Sequence, residues 1–447
     1  MNKNLFLFVL FILISGCSFD SKTGIWGHGE KEKERISELE KQQKQIININ
    51  KVYSSDNIFS KEIVLKNNIK LSKPKKNLFW EMSSLNYQNS LGNIYLSGID
   101  NTFLKKKIGK NKFSMSNVMS SPLVSENFII LSDDKGTIYK IDQGGKVHWK
   151  KNIYKKIYKK IYKNLVFSIY NNKVYIADNI GFIYSINLDD GKLIWIKNHG
   201  IPLKSNIKIF KDKIFLINQD NRIVCLNVKN GTKIWDIRAI SSFIKSQNFL
   251  STAITNDDHV VFINSSGDLI KTNLDYGKVS WSANTSGSML AYATDFFKSS
   301  NIVIFNDELI ISTQSSIFSY DVSTGFLNWE QDVSSVGSPI IDGDNIFIVT
   351  ENGYFVIIDR KLENIISSNY ILKILKKKKR STVITGFIMG SGKIYSVTLN
   401  GYLIVSSAVT GKVESFKKIG DPIISPPVIS DGKLYILTKN SRIIGLN

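Results

Sequence analysis

The side chains best suited to acid–base or metal chemistry in this chain are its histidines and a recurring set of aspartates. No two histidines lie at a spacing typical of metal ligands: His28, His148, His199 and His259. Asp257 and Asp258 directly precede His259, but the stretch favours a turn between two strands over a catalytic pair. The other aspartates recur at one point of a repeat, where they predict solvated turns: Asp142, Asp189, Asp190, Asp321 and Asp359. Since the sequence also lacks a Gly-rich phosphate loop and a nucleophile elbow, we predict no catalytic residue and no metal ligand.

The two cysteines stand in different surroundings. Residues 13–17, Leu-Ile-Ser-Gly-Cys, close an apolar run that is too short to span a bilayer and indicates a secretion signal. This ending resembles the lipobox of bacterial lipoproteins, which implies cleavage before Cys17 and acylation of Cys17 with enough chains for stable membrane attachment. Ser18 follows without the aspartate that retains some lipoproteins at the inner membrane, so we expect the periplasmic face of the outer membrane. Cys225 lies within a predicted strand and is expected to be a buried structural thiol.

One stretch, Gly181–Trp195, shows the unit that positions most of these residues. Residues 182–186 are rich in aromatic and β-branched side chains and predict a strand, residues 189–191 predict a tight turn, and a second strand begins at Lys192. Copies of this unit begin 38 to 48 residues apart, at Gly136, Gly181, Asn221, Gly267, Ser315, Gly353, Gly401 and Ser441. A period of this length, built only of strands and turns, predicts an all-β fold, an eight-bladed β-propeller of four-stranded antiparallel blades.

The register of the copies predicts the blades and their packing. We place the blades at 117–152, 164–198, 204–238, 248–284, 297–332, 336–368, 381–417 and 423–447. The last copy lacks a fourth strand, and a strand near Thr102–Ile108 is predicted to fill the vacancy and close the ring. An indole follows the turn in five blades and is predicted to pack between neighbouring blades: Trp149, Trp195, Trp235, Trp281 and Trp329. Blades six and seven have Ser367 and Ser415 at this place.

The chain therefore divides into three predicted segments. Residues 1–16 form the signal peptide, residues 17–76 form an acylated cysteine with a flexible charged tether, and residues 77–447 form the propeller. Between Glu30 and Lys44 the tether is dense in Lys, Glu and Gln, with only Ile36 and Leu39 as large apolar residues. Such a segment cannot bury a core, so we expect at most one transient helix there.

Charge limits the choice of partner. The 59 basic and 38 acidic residues leave a net charge of +21. Nucleic acid is a common partner of such a surface, but the secretion signal argues against it, and we predict no nucleic-acid partner. Two basic clusters, Tyr154–Lys163 and Lys373–Arg380, fall on predicted blade connections. They are either solvated rims or contacts with anionic lipid headgroups.

The repeats resemble the tryptophan-docked blades of the quinoprotein-dehydrogenase-like, or PQQ-like, propeller family. The shared pattern is Gly-x-hydrophobic-x-hydrophobic-Asp/Asn, then Thr/Asn-Gly-x-hydrophobic-x-Trp, from about residue 120 to residue 447. Within the family, the lipobox, the eight blades and the segment that contains Trp80, Tyr87 and Asn93–Gly98 are most similar to lipoproteins of the outer-membrane β-barrel assembly machinery. That similarity implies a non-catalytic scaffold that docks on periplasmic domains of BamA, with other subunits and unfolded outer-membrane proteins as further partners.

The same similarity implies where such a partner docks. Phe243, Ile244 and Lys245, in the loop after blade three, stand in the place of one docking motif of these lipoproteins. Asp295, Phe296 and Phe297, ahead of blade five, stand near the place of another. Apolar side chains beside a charge on a loop are typical of interface anchors, although Phe243 and Phe296 could equally tuck under their own loops.

The alternative is a periplasmic PQQ-dependent, quinoprotein-like dehydrogenase or a ligand-binding propeller that uses the axial funnel. Dehydrogenases of the family hold Ca²⁺ in a cluster of carboxylates and amides, use an Asp base and commonly carry two adjacent cysteines over the quinone. This chain has no adjacent cysteines and no CxxCH haem motif. We therefore expect no cofactor and no enzymatic activity.

Overall fold

The computed structural model describes residues 30–49, 59–111, 120–238, 245–246, 248–285, 297–377 and 381–447. Within the first of these segments, side chains are described as far as residue 43. The predicted signal peptide at 1–16 and the predicted acylation site Cys17 lie outside the described residues.

The first four blades are four-stranded antiparallel sheets in which consecutive strands are hydrogen-bonded neighbours. Blade one contains β2 (Leu123–Val124), β3 (Ile129–Ser132), β4 (Ile138–Ile141) and β5 (Val147–Lys151). Blade two contains β6 (Leu165–Tyr170), β7 (Lys173–Asp178), β8 (Phe182–Asn187) and β9 (Leu193–Asn198). Blade three contains β10 (Lys208–Phe210), β11 (Lys213–Ile217), β12 (Arg222–Asn227) and β13 (Lys233–Arg238). Blade four contains β14 (Thr252–Ile254), β15 (His259–Ile263), β16 (Asp268–Asn273) and β17 (Val279–Asn284).

The next three blades repeat this arrangement, and the eighth combines the two ends of the ring. Blade five contains β18 (Val303–Phe305), β19 (Glu308–Ser312), β20 (Ile317–Asp321) and β21 (Leu327–Gln331). Blade six contains β22 (Ile340–Asp342), β23 (Asn345–Val349), β24 (Tyr354–Asp359) and β25 (Asn364–Tyr370). Blade seven contains β26 (Ile384–Gly390), β27 (Lys393–Thr398), β28 (Tyr402–Ser407) and β29 (Val413–Lys418). Blade eight contains β30 (Val428–Ser430), β31 (Lys433–Leu437), β32 (Arg442–Leu446) and β1 (Thr102–Lys107).

The prediction of an eight-bladed propeller closed by an early strand is confirmed. β1 pairs antiparallel with β32, with Lys105 opposite Ile444 and Lys107 opposite Arg442. Because β1 takes the outer place of the last sheet, every blade reaches four strands although the chain ends after its thirty-second strand. Closure leaves no blade as an open end of the ring.

The antiparallel order gives the propeller two distinct faces. One face, here called the connection face, carries the links between blades and the turns between the second and third strands. The other, the turn face, carries the turns between first and second and between third and fourth strands. Each turn aspartate predicted from the sequence between third and fourth strands therefore belongs to the turn face.

Helix α1 (Glu30–Ile49) lies against the connection face. Ile36 and Leu39 are buried in the same hydrophobic cluster as Tyr158 and Ile161. The sequence predicted a flexible tether over residues 17–76, whereas residues 30–49 form a docked helix and residues 59–76 hydrogen-bond to blades six and seven. Polar side chains on the same face of α1 hydrogen-bond to the propeller, so two apolar residues are enough to hold this face of the helix, here called the docked stripe, against it.

A second part of the segment before β1 circles the propeller axis on the turn face. We call residues 72–97 the axial belt. It has few regular backbone pairs of its own, and it contacts the innermost strand, or the turn that follows it, in every blade. Hydrogen bonds join Trp80 to Val124, Glu81 to Ile169, Asn86 to Lys208, Tyr87 to Ile254, Gln88 to Ile304, Ser72 to Asp342, Ile94 to Ser391 and Ser97 to Gly432.

Candidate functional site

The loops predicted to dock a partner lie on the connection face, and the structure describes only part of them. Phe243, Ile244, Asp295 and Phe296 lie outside the described residues. Lys245 is exposed, and the next residue, Ser246, is buried. Phe297 is partly buried against the hydrophobic cluster shared by blades four and five. Of the six predicted residues, the structure therefore places two, Lys245 and Phe297.

The two loops are joined to each other. The side-chain amide of Asn248 donates a hydrogen bond to the carbonyl oxygen of Phe297 at 2.9 Å. On the other side, the backbone N–H of Ser246 donates to the carbonyl oxygen of Gln219 at 2.8 Å. The end of the first loop is thus fixed between the start of blade five and the turn in blade three. This arrangement places Lys245 and Phe297 on one continuous strip of the connection face.

Helix α1 extends the same strip toward blades one and two. The side chain of Gln219 donates to the side-chain oxygen of Gln42 at 3.3 Å. Gln43 exchanges two hydrogen bonds with the backbone of Tyr162, both at 3.2 Å. The helix therefore runs along the connection face and contacts, through Gln42, the turn that holds the first predicted loop.

Near its N-terminus, α1 is held against the connection face by an arginine. Arg35 Nη1 donates to the carbonyl oxygens of Ile180 at 2.5 Å and of Gly200 at 3.2 Å, while its guanidinium pairs with Glu32 at 2.8 Å. Glu32 in turn accepts a hydrogen bond from the Tyr158 hydroxyl at 2.8 Å. Burial, followed by this bond to Glu32, raises the pKa of Tyr158 well above its usual value. The phenol stays protonated and remains a donor to the carboxylate over the ordinary pH range.

The two basic clusters predicted from the sequence differ in their pairing. The first, around the 3₁₀ turn Lys156–Tyr158, exposes four lysines beside α1: Lys155, Lys156, Lys159 and Lys160. In the second, Lys373 pairs with Glu62 at 3.1 Å, and residues 378–380 lie outside the described residues. Glu62 belongs to the segment that follows α1, so the second cluster is partly neutralised by the chain itself.

Asp257 and His259 lie close together but serve a local ion-pair network. Asp257 accepts a hydrogen bond from Lys271 Nζ at 2.8 Å, and His259 Nδ1 lies 3.3 Å from the same carboxylate oxygen. Burial alone would raise the pKa of Asp257, but hydrogen bonds from Lys271 and Thr255, together with the charges of Lys271 and His259, outweigh burial and lower that pKa. The carboxylate is held ionised and is poorly suited to act as a proton carrier near neutral pH. Within the described ranges, no group of three His, Cys, Asp or Glu side chains is placed to hold a metal ion.

The turn aspartates hold backbone groups. Asp142 accepts the N–H groups of Gly144 and Lys146 at 2.9 and 2.8 Å. Asp321 accepts hydrogen bonds from the hydroxyls and N–H groups of Ser323 and Thr324, and these bonds lower its pKa to about 2. These carboxylates thus act as turn caps.

Two further candidate groups are Cys225, which is buried, and His199, which is half-buried. Burial raises the pKa of the Cys225 thiol to about 12, so the thiolate needed for reactivity is scarce at neutral pH. Burial likewise lowers the pKa of His199 to about 4, which keeps that imidazole neutral. Neither side chain forms part of the connection-face strip.

The indoles lie between adjacent blades. The ring N–H of Trp149 donates to the carbonyl oxygen of Leu188 in the next blade at 3.0 Å. The same contact recurs at 3.2, 3.1 and 3.0 Å for Trp195 with Val228, Trp235 with Leu274 and Trp281 with Val322. Trp329 is buried in the cluster shared with blade six. Each of these rings fills a blade boundary and leaves no indole face free as a ligand platform.

Sequence reasoning missed the docked stripe of α1 and the axial belt. The stripe had a readable signal, since Glu32, Arg35, Ile36, Leu39 and Gln43 recur at intervals of three and four residues. The belt had none, because it binds the blades mainly through backbone groups that any sequence provides.

A family of known proteins matches the propeller. The sequence model described as outer membrane protein assembly factor BamB matches residues 102–207 and 134–369, which is more than half of the chain. The BamB protein of Moranella endobia is 19% identical over 298 residues, covering 64% of this chain and 64% of that protein. The chain thus spans slightly less than two thirds of the length of this relative.

Solved structures share the fold at low identity. The crystal structure of BamB from Moraxella catarrhalis superposes with a TM-score of 0.61 at 12% identity, covering 76% of this chain and 99% of that one. A europium-containing methanol dehydrogenase superposes with a TM-score of 0.62 at 12% identity, covering 81% of this chain and 89% of that one. Both show the fold alone. Among the residues placed by the structure, none of the helices is both long and apolar enough to cross a membrane.

Proposed function

Because the chain belongs to the outer membrane protein assembly factor BamB family, we propose that it is a non-catalytic scaffold of the outer-membrane β-barrel assembly machinery. It docks on periplasmic domains of BamA and assists the insertion of outer-membrane proteins. The observation that carries the docking part is the hydrogen bond from Asn248 to Phe297, which joins the two predicted docking loops on one face.

The chemistry of this strip suits a protein partner. The two predicted loops contain apolar side chains together with Lys245 and Asp295. Loops on a rigid scaffold are where binding residues concentrate, and apolar anchors ringed by polar groups carry most of the energy of typical interfaces. The bonds from Asn248 and Ser246 fix the base of the strip, which lowers the ordering cost of binding.

The experiment is co-purification of BamA with the full chain that carries Ile244→Ala, Lys245→Ala and Asp295→Ala. We expect the triple variant to retain little BamA. The matched control replaces Ile194, Lys192 and Asp190, which are the same residue types exposed at the turn-face end of blade two. Full retention of BamA by the loop variant rejects this docking site, and equal loss in both variants points to a general surface effect.

The scaffold is held at the periplasmic face of the outer membrane by acylation of Cys17. The lipobox ending Leu13–Cys17 supports this step. The mass of the mature N-terminal peptide tests it, because a diacylglycerol and an amide-linked acyl chain add a defined mass to Cys17. A peptide that begins at another residue, or that carries no lipid, removes the anchor from the proposal without touching the docking loops.

The enzyme alternative makes a separate, measurable prediction. A quinoprotein-like propeller incubated with PQQ and Ca²⁺ would retain the quinone and its absorbance after gel filtration. A scaffold of the proposed kind retains none. The fold likeness to a methanol dehydrogenase does not decide between them, since one fold hosts many functions.

A further inference from the structure

We propose that the connection face at blades one and two is a membrane-binding surface, in which Lys155, Lys156, Lys159 and Lys160 contact anionic lipid headgroups beside the docked helix α1. This surface goes beyond the scaffold function. Only the distance between the propeller and the bilayer rests on the proposed acylation of Cys17.

The four lysines are held at the surface by their apolar neighbours. Tyr158, Ile161 and Tyr162 point inward and are buried, and the ring of Tyr158 packs edge-on against that of Phe182 at 5.5 Å between centroids. The connection from residue 154 to residue 163 therefore alternates buried aromatic or aliphatic anchors with exposed pairs of lysines. The buried side chains fix this connection, so its lysine ammonium groups lie at a defined place on the surface.

The four lysines differ from the lysines that take part in the described ion pairs. In the part of the chain that the structure describes, none of the four forms an ion pair with a carboxylate. Several lysines elsewhere on the surface are paired, as Lys211 is with Asp258 and Lys361 with Asp344. Four unpaired cations within six residues attract a surface that offers many phosphates in a plane.

The docked helix brings the expected anchor to the same side. Twelve residues lie between Cys17 and Glu30, where α1 begins, and the thirteen steps from one to the other reach at most about 45 Å when fully extended. Without the docked helix, the free chain would run from Cys17 to Phe59, and its limit would be about 140 Å. Because Glu32 accepts a hydrogen bond from Tyr158 within the basic connection, the short segment that links Cys17 to α1 joins the helix beside the four lysines.

The opposite face has a different charge pattern. The turns between third and fourth strands carry Asp142, Asp190, Asp275 and Asp359 among their lysines. The four lysines follow one another within a single connection, whereas the lysines of these turns alternate with carboxylates. An anionic bilayer, which offers many phosphates in a plane, therefore meets a denser run of cations at blades one and two.

The experiment footprints lysine amines on the full-length, mature chain bound to vesicles. Vesicles of phosphatidylcholine alone are compared with vesicles that also contain phosphatidylglycerol, and the protein is labelled briefly with an amine-reactive acetyl ester. We expect labelling of the four lysines to fall about fivefold on the anionic vesicles, the factor that corresponds to ~1 kcal/mol per basic residue near a membrane. Internal controls on the turn face should keep their labelling: Lys146, Lys229, Lys278 and Lys412. High salt should remove the protection, since it screens the attraction.

A pair of charge-reversal variants assigns the effect to this surface. In the first, the four lysines beside α1 are replaced by glutamate, and the exposed α1 lysines Lys31, Lys33 and Lys41 serve as reporters. Their protection on anionic vesicles should be lost. In the second, the four turn-face lysines are replaced by glutamate, with the same change in net charge, and the α1 reporters should stay protected.

The outcomes separate this inference from the anchor. Equal labelling on both kinds of vesicle, with Cys17 acylated, overturns the membrane surface and leaves the anchor intact. Protection that both reversal variants abolish equally also overturns it, because net charge alone would then explain binding. A chain without acyl groups that still binds anionic vesicles through the four lysines supports the surface and removes the anchor. A chain that lacks both properties refutes both.

Discussion

The indole of Trp195 occupies the space where a side chain on Gly231 would begin. An ideal Cβ on Gly231 would lie 2.5 Å from the Trp195 ring, and the backbone there has a φ of +69°. The ring N–H of Trp195 also donates to Val228 in the same turn at 3.2 Å. The glycine and the indole of neighbouring blades therefore form one packing unit, and the glycine is needed both for its backbone conformation and for the room it leaves.

Gly231→Ala should cost more stability than a glycine replacement at an open turn. Both the strained φ and the clash with the indole oppose alanine, and overpacking typically costs about 1–3 kcal/mol in addition to the backbone strain. The matched control is Gly343→Ala, where φ is +59° but no atom lies within 4 Å of the new Cβ. Chemical denaturation of both variants measures the difference. Equal losses would show that the Trp195 ring moves aside freely.

The repeated part of this fold was predictable because the residue types in each repeat determine its local structure. Glycine, aspartate and tryptophan recur at fixed spacing, and each has a local role that a sequence reveals: a positive φ, a turn cap, or a large ring at a boundary. The strand that fills blade eight could be placed for the same reason, since the last copy is one strand short. Segments outside the repeat have no copies against which to set a register.

The docked helix shows why the segment before the propeller was not predicted. Its free energy of docking comes from Ile36, Leu39 and several side-chain hydrogen bonds to carbonyls that are distant in sequence, such as the bond from Arg35 to Ile180. Composition alone gave a charged segment that cannot bury a core. The two docking loops stay a prediction, since four of their six named residues lie outside the described residues.

Ile36→Asp should release α1 from the propeller. A helix of this length is marginal by itself, and burying an isoleucine contributes about 1.5–3 kcal/mol, so we expect amide exchange in α1 to speed by roughly ten- to a hundredfold. Ser37→Asp adds the same charge at an exposed position of the same helix and is the control. Hydrogen exchange with mass spectrometry measures the exchange rate of α1 in both variants. Similar exchange in the two variants would mean that Ile36 does not hold the helix.

Lys208 should make stability rise with pH. Its side chain is buried against the axial belt, where Nζ lies 3.1, 2.7 and 2.6 Å from the carbonyl oxygens of Ser83 and Asn86 and the side-chain oxygen of Asn89. Burial lowers its pKa to about 7 from the usual 10.5. Between these values the unfolded chain binds a proton that the folded chain does not, so the free energy of unfolding increases from about pH 7 toward pH 10.5 and the deficit is complete below pH 7.

The variant Lys208→Met isolates this dependence. It should show a smaller rise of stability between pH 7 and pH 9, measured by denaturant titration at several pH values. Burial also lowers the pKa values of Lys163 and Lys204 to about 8, but both remain in the variant and cancel in the comparison. Lys192→Met, at an exposed turn, should leave the slope unchanged. A slope in Lys208→Met equal to that of the unaltered chain would show that Lys208 keeps its proton when folded.

Deleting residues 439–447 should abolish cooperative unfolding. The deletion removes β32, which lies between β31 and β1, so β1 loses its only sheet partner and the ring opens at blade eight. Exposed edges on both sides of the gap then unravel or aggregate instead of melting with the rest. Deleting residues 30–49 is the control, since it removes more residues yet leaves every sheet paired, and it should keep one sharp transition in calorimetry. If the C-terminal truncation melts as sharply as that control, the contact between β1 and β32 is not what makes the propeller fold as one unit.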